Sequence, residues 1–178
     1  MKNAGQKECG GKERALDDRV RRGNAVLAVA LAAFLIAHEV LGALSVAISL
    51  PTGLRWLIWA VAVGVAAHVA LCVATSYWMM TDTVRPPSVH KRNHLILKWA
   101  SGAVLAAMAV LHAVLGGTPY DFATSVVAAV LGIILAWHTC VGVKSALRDL
   151  GRGKQHRTAI RAVVIAATAV VVVLLVVL

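Results

Sequence analysis

Charged residues are scarce in this chain: Asp, Glu, Lys and Arg make up 15% of its 178 residues, only eight of them acidic, and the mean hydropathy is +0.79. Soluble domains are ordinarily about a quarter charged, and one buried core cannot hide the apolar surplus, which argues against a water-soluble globular fold. Cysteine is sparse too. Cys9, Cys72 and Cys140 are an odd number without framework spacing, which excludes a disulfide scaffold. Disorder is excluded because disordered chains are poor in aliphatic residues. No phosphate-binding glycine loop, nucleophile elbow or Cys-x-x-Cys pair occurs, so the commonest soluble nucleotide, hydrolase and thiol signatures are missing. What remains is a composition 60% hydrophobic, that of an integral membrane protein.

A transmembrane helix needs roughly 20 mostly apolar residues. Five stretches meet that length: Asn24 to Leu50, Leu54 to Met80, His94 to Gly116, Phe122 to Leu147 and Ala159 to Leu178. The first is too long for the apolar core of a signal peptide. Between the runs stand Pro51-Thr52-Gly53, Arg85-Pro86-Pro87, Gly116-Gly117-Thr118-Pro119 and Gly151-Arg152-Gly153, the residues that end helices. The chain thus divides into a tail, residues 1–23, and a five-helix transmembrane domain, residues 24–178. Short connections predict helices running up and down beside their neighbours.

The net charge of +10 suggests nucleic acid only if the basic residues share a soluble face, and here they lie between apolar runs, so no nucleic-acid partner is expected. Their distribution carries orientation instead. The tail holds seven Lys and Arg, the second connection with its flanks four and the fourth six, against Arg55 alone in the first and none in the third. This predicts a multi-pass protein of a bacterial cytoplasmic membrane, surrounded by lipid, with its N-terminus cytoplasmic and its C-terminus outside.

Of the seven histidines, His90, His94 and His156 fall in or beside cytoplasmic connections. His38, His68, His112 and His138 instead lie one in each of the first four apolar runs. Ionisable side chains in hydrocarbon are costly and ordinarily face the bundle interior as functional groups. At the helical rise per residue, His68 lies about 18 Å and His138 about 15 Å from the cytoplasmic ends, and His38 about 21 Å and His112 about 27 Å. Two levels result. In an up-and-down bundle these are diagonal pairs about 12 to 14 Å apart between helix axes, room for imidazole, a metal in a flat macrocycle, and imidazole. The expectation is bis-histidine haem ligation twice, in an all-α membrane protein whose first four helices bundle around two haems.

Each of these histidines has a glycine four residues away: His38 with Gly42, Gly64 with His68, His112 with Gly116, and His138 with Gly142. Positions four apart share a helix face, and glycine would clear space for a macrocycle, although small residues also let membrane helices pack closely. No Cys-x-x-Cys-His occurs, so the haems are expected to be b-type.

Taken together, Phe34-Leu35-Ile36-Ala37-His38, His68, Lys98-Trp99-Ala100-Ser101-Gly102 leading to Leu111-His112, and His138-Thr139-Cys140-Val141-Gly142 before a basic end resemble a known family. It is the cytochrome b membrane anchor of succinate dehydrogenases and fumarate reductases, in the single-subunit, five-helix, di-haem form. The resemblance spans all five apolar runs. It implies that His68 and His138 ligate a proximal haem b, and His38 and His112 a distal one. It also implies cytoplasmic flavoprotein and iron–sulfur partner subunits, with dicarboxylate chemistry on the flavoprotein, and electron exchange with a membrane quinone, menaquinone in anchors of this type. Two departures stand out. Lys98 replaces an arginine frequent in the family, and Arg19-Val20-Arg21-Arg22-Gly23 replaces a His-Ser pair. Lys98, Ser101, Lys144 and Arg148 are therefore the candidates for propionate partners.

Glu39 is the only carboxylate within an apolar run. It reads as a proton relay for quinone chemistry or as a neutral, hydrogen-bonded bridge between helices. Three rival readings of the histidines stay open: a di-haem anchor for a formate dehydrogenase or hydrogenase, a histidine-lined metal transporter, and a bundle whose histidines only bridge helices.

Overall fold

The computed structural model describes residues 4–45, 55–81, 87–115, 122–152 and 155–177. The described residues form five helices: α1 (Ala4–Ser45), α2 (Arg55–Thr81), α3 (Val89–Leu115), α4 (Phe122–Asp149) and α5 (Gln155–Val177). Each is long and apolar enough to cross a membrane, so the chain is an all-helical, multi-pass membrane protein. None of the five described helices contains a proline. Pro51, Pro86 and Pro119 lie outside the described residues, as does Gly116.

Two helix ends have caps written in the sequence. Ser88 starts α3, its carbonyl accepting from the Arg92 N–H at 2.9 Å and its hydroxyl from the Lys91 N–H at 3.4 Å. Gly151 ends α4 with φ of 69°. The Gly151 N–H reaches the Arg148 carbonyl at 3.0 Å and the Arg152 N–H the Leu147 carbonyl at 2.8 Å, the paired closure a left-handed glycine permits. The segment expected to be a tail behaves differently, since α1 begins at Ala4. Glu8 with Lys12, Asp17 with Arg21 and Asp18 with Arg22 are acid-before-base pairs four apart, a spacing that favours helix despite Gly10 and Gly11.

The core lies around α4, which packs on α1, α3 and α5. Its buried residues Thr124, Ala128, Leu131, Leu135, Ala136, Val143 and Leu147 recur at helical spacing. α1 also packs on α2 and α5. Among the described residues, α1 with α3 and α2 with α4 form no comparable packed face, as diagonals of a four-helix ring would not. Neighbours are antiparallel: Asn24 meets His68 while Leu31 meets Gly64, and Lys98 meets Ser145 while Ser101 meets His138. The ring is loosest between α2 and α3, which are joined by Trp99 Nε1 donating to Ser76 Oγ at 3.1 Å. Beside that bond is an apolar groove of about 490 Å³ reaching from Val73 to Met80 on α2 and from Arg92 to Ala100 on α3.

Candidate functional site

The four intramembrane histidines occupy two layers. Along α1, Asn24 and His38 are about 21 Å apart at the helical rise, and along α3, Ser101 and His112 about 17 Å.

The lower layer contains His68 and His138, on the diagonal helices α2 and α4. His68 Nδ1 lies 2.8 Å from Asn24 Oδ1 on α1, and Asn24 Nδ2 donates to Cys72 Sγ at 3.5 Å. With the amide nitrogen turned to sulfur, its oxygen faces the ring and can only accept, so His68 Nδ1 carries the proton. His138 is held in the same sense. Ser101, fully buried on α3, donates its single hydroxyl proton to the Lys98 carbonyl at 3.0 Å, leaving its oxygen to accept from His138 Nδ1 at 2.9 Å. With Nδ1 so engaged, Nε2 is the nitrogen each ring would offer a metal; that of His68 lies 3.6 Å from Cys72 Sγ.

Close packing supports this arrangement. A Cβ at Gly102 would stand 3.3 Å from His138 Cε1, so the imidazole lies against bare backbone. Of the glycines expected to clear space, Gly142 has nothing within 4 Å of a notional Cβ, whereas at Gly64 that position meets Leu31 Cδ2 at 3.0 Å. Gly64 thus brings α1 and α2 together. Gly42 lies on α1 one turn beyond His38.

The basic residues gather at the end of α3 and α4 nearest this layer. Lys98 donates to Ser145 Oγ, whose own proton goes to the Gly142 carbonyl at 2.8 Å. Lys98 keeps two further N–H donors, and Ser101 none. Lys144 and Arg148 are exposed, and Arg148 Nε pairs with Asp149 Oδ1 at 3.1 Å. One turn before Lys98, His94 keeps a buried Nε2 without a partner.

In the upper layer, His38 on α1 and His112 on α3 meet with ring centroids 6.5 Å apart and planes at 80°. His38 is exposed and His112 half-buried. His112 Nδ1 is buried without a hydrogen-bond partner. Glu39 is next to His38 in sequence but a third of a turn round the helix, and it faces α4 and α5 instead. There it lines a cavity of about 10 Å³ with Ile36, Gly132, Leu135, Ala167, Thr168 and Val171, about the least space that holds one water.

No family model matches the chain, and no curated protein or solved structure matches it. Among the described residues, no three or more of His, Cys, Asp and Glu converge as a metal cage; His38 and His112 meet as a couple. Asn24 was not legible as a site residue. At the start of an apolar run it reads as a helix boundary, and nothing local signals a partner 44 residues away. Arg161 is one of the six basic residues counted with the fourth connection. It lies inside α5, where Nη2 donates to the Cys140 carbonyl at 2.6 Å and Nε is buried without a partner.

Proposed function

We propose that this chain is a di-haem cytochrome b that anchors a succinate dehydrogenase or fumarate reductase to the membrane and passes electrons between its iron–sulfur subunit and a quinone, menaquinone by family resemblance. The observation that carries this reading is the lower couple, in which two imidazoles on diagonal helices each have Nδ1 held by a neutral partner, Asn24 Oδ1 at 2.8 Å and Ser101 Oγ at 2.9 Å, with only the weakly bonding Cys72 Sγ, at 3.6 Å, against His68 Nε2. The upper couple supports it by spacing. The ring centroids lie 6.5 Å apart, close to the ~6.2 Å that two metal–nitrogen bonds of about 2.0 Å, with roughly 1.1 Å from nitrogen to ring centre on each side, would require. A bare-ion transporter is less well supported, because its site would draw three or four ligands to one level.

On this reading His68 and His138 hold the haem nearer the cytoplasmic subunits, and His38 and His112 the outer one. When bound, the haems supply one-electron transfer between iron–sulfur cluster and quinone. Asn24 and Ser101 orient the lower imidazoles, and Gly102 and Gly142 keep the backbone low beside them. Lys98 offers its two remaining donors to a propionate, with Lys144 and Arg148 further out as surface charges. Glu39, beside its water-sized cavity, takes or gives the proton that quinone chemistry requires. The dicarboxylate reaction belongs to the flavoprotein partner.

The deciding experiment is a dithionite-reduced minus oxidised spectrum of the purified chain with its haem content. Two b-type haems per chain are expected; zinc or copper without visible bands would overturn the proposal. The partner assignment is tested separately, by whether the neighbouring genes encode a flavoprotein and an iron–sulfur protein.

A further inference from the structure

We propose that Asn24 is a positioning residue for His68, one that sets the electron-donating strength of this imidazole and through it the potential of the lower iron. The inference rests on the di-haem reading. Asn24 is the sole residue of α1 with a hydrogen bond to an imidazole of the lower layer among the described residues, at 2.8 Å between Oδ1 and Nδ1. Its amide nitrogen donates to Cys72 Sγ at 3.5 Å, a sulfur that also lies 3.6 Å from His68 Nε2, so the amide cannot turn over without losing that contact. A carbonyl accepting from Nδ1–H makes the opposite nitrogen a stronger donor, which favours ferric iron and lowers the reduction potential. The upper layer differs in this respect, because His112 Nδ1 has no partner at all. Asn24 therefore acts on one iron only, from a helix that contributes its own histidine to the other.

The test is potentiometry of the purified two-haem chain, followed by haem absorbance and by low-spin electron paramagnetic resonance. Asn24→Leu keeps the bulk and removes the acceptor; one of the two redox waves is expected to move to higher potential, with an altered resonance for that haem, while the other wave stays. Asn24→Asp retains both size and acceptor, so it guards against misfolding of the leucine variant, and its wave is expected at or below the wild-type position. Waves that stay in place in both variants, or that move together, overturn the inference. A wild-type chain without haem overturns the di-haem reading itself; two wild-type haems with unmoved variants overturn the role of Asn24 alone.

Discussion

The two histidine layers are built by different means. In the lower layer each ring is fixed through Nδ1, His68 by an amide on α1 and His138 by a buried hydroxyl on α3. In the upper layer the rings lie against each other, with His112 Nδ1 unpartnered. A hydrogen bond fixes both rotation and tautomer, whereas a ring contact fixes separation alone. The protein thus fixes the lower rings more fully than the upper ones.

The most severe way to break this comparison is to remove ligands. His68→Ala or His138→Ala is expected to halve the haem content while sparing the upper haem, and His38→Ala or His112→Ala to do the reverse, measured as haem per chain. Loss of both haems from any one substitution would mean the layers are a single site. Ser101→Ala sharpens the contrast next. It leaves the part-buried His138 ring N–H unpaired, a loss of about 1 kcal/mol seen as a lower unfolding midpoint in detergent, and among the described residues His112 Nδ1 has no equivalent partner to remove. Glu39→Gln addresses the upper half from its outer side: both haems should stay while quinone-linked turnover falls by about tenfold or more, within the range of general acid–base effects. Unchanged turnover would leave Glu39 a bridge between helices. The smallest effect is expected at Gly102→Ala, where the new methyl, 3.3 Å from His138 Cε1, must tilt the ring at about 1 kcal/mol. Gly142→Ala, with open space around it, is the control in the unliganded chain.

Much of the architecture can be read from the chain, because hydrocarbon requires long apolar helices and the prolines stand where helices must stop. Five apolar runs predict five helices, and five form. The upper encounter of His38 with His112 follows the diagonal their depths predict. Contacts that depend on rotation about a helix axis were less legible. Gly64 reads equally as room for a macrocycle or room for Leu31, and only the packing of α1 on α2 decides between them. Glu39 shares sequence neighbourhood with His38 but not its face. Asn24 and Ser101 look alike as polar residues near the N-terminal end of apolar runs, yet Ser101 stands in one of the segments that carry the family resemblance and Asn24 does not. The first helix exceeded expectation because spaced acid–base pairs outweigh the glycines of residues 4–23.

The diagonal layout also bears on the order in which the protein can be completed. Each couple takes one imidazole from the hairpin α1–α2 and one from α3–α4. For a chain inserted from its N-terminus, His38 has no counterpart until α3 arrives, and His68 must wait for α4. Ligation as proposed would then act as a clasp between two halves made at different times, closed first at the level of His38 and His112 and last at that of His68 and His138.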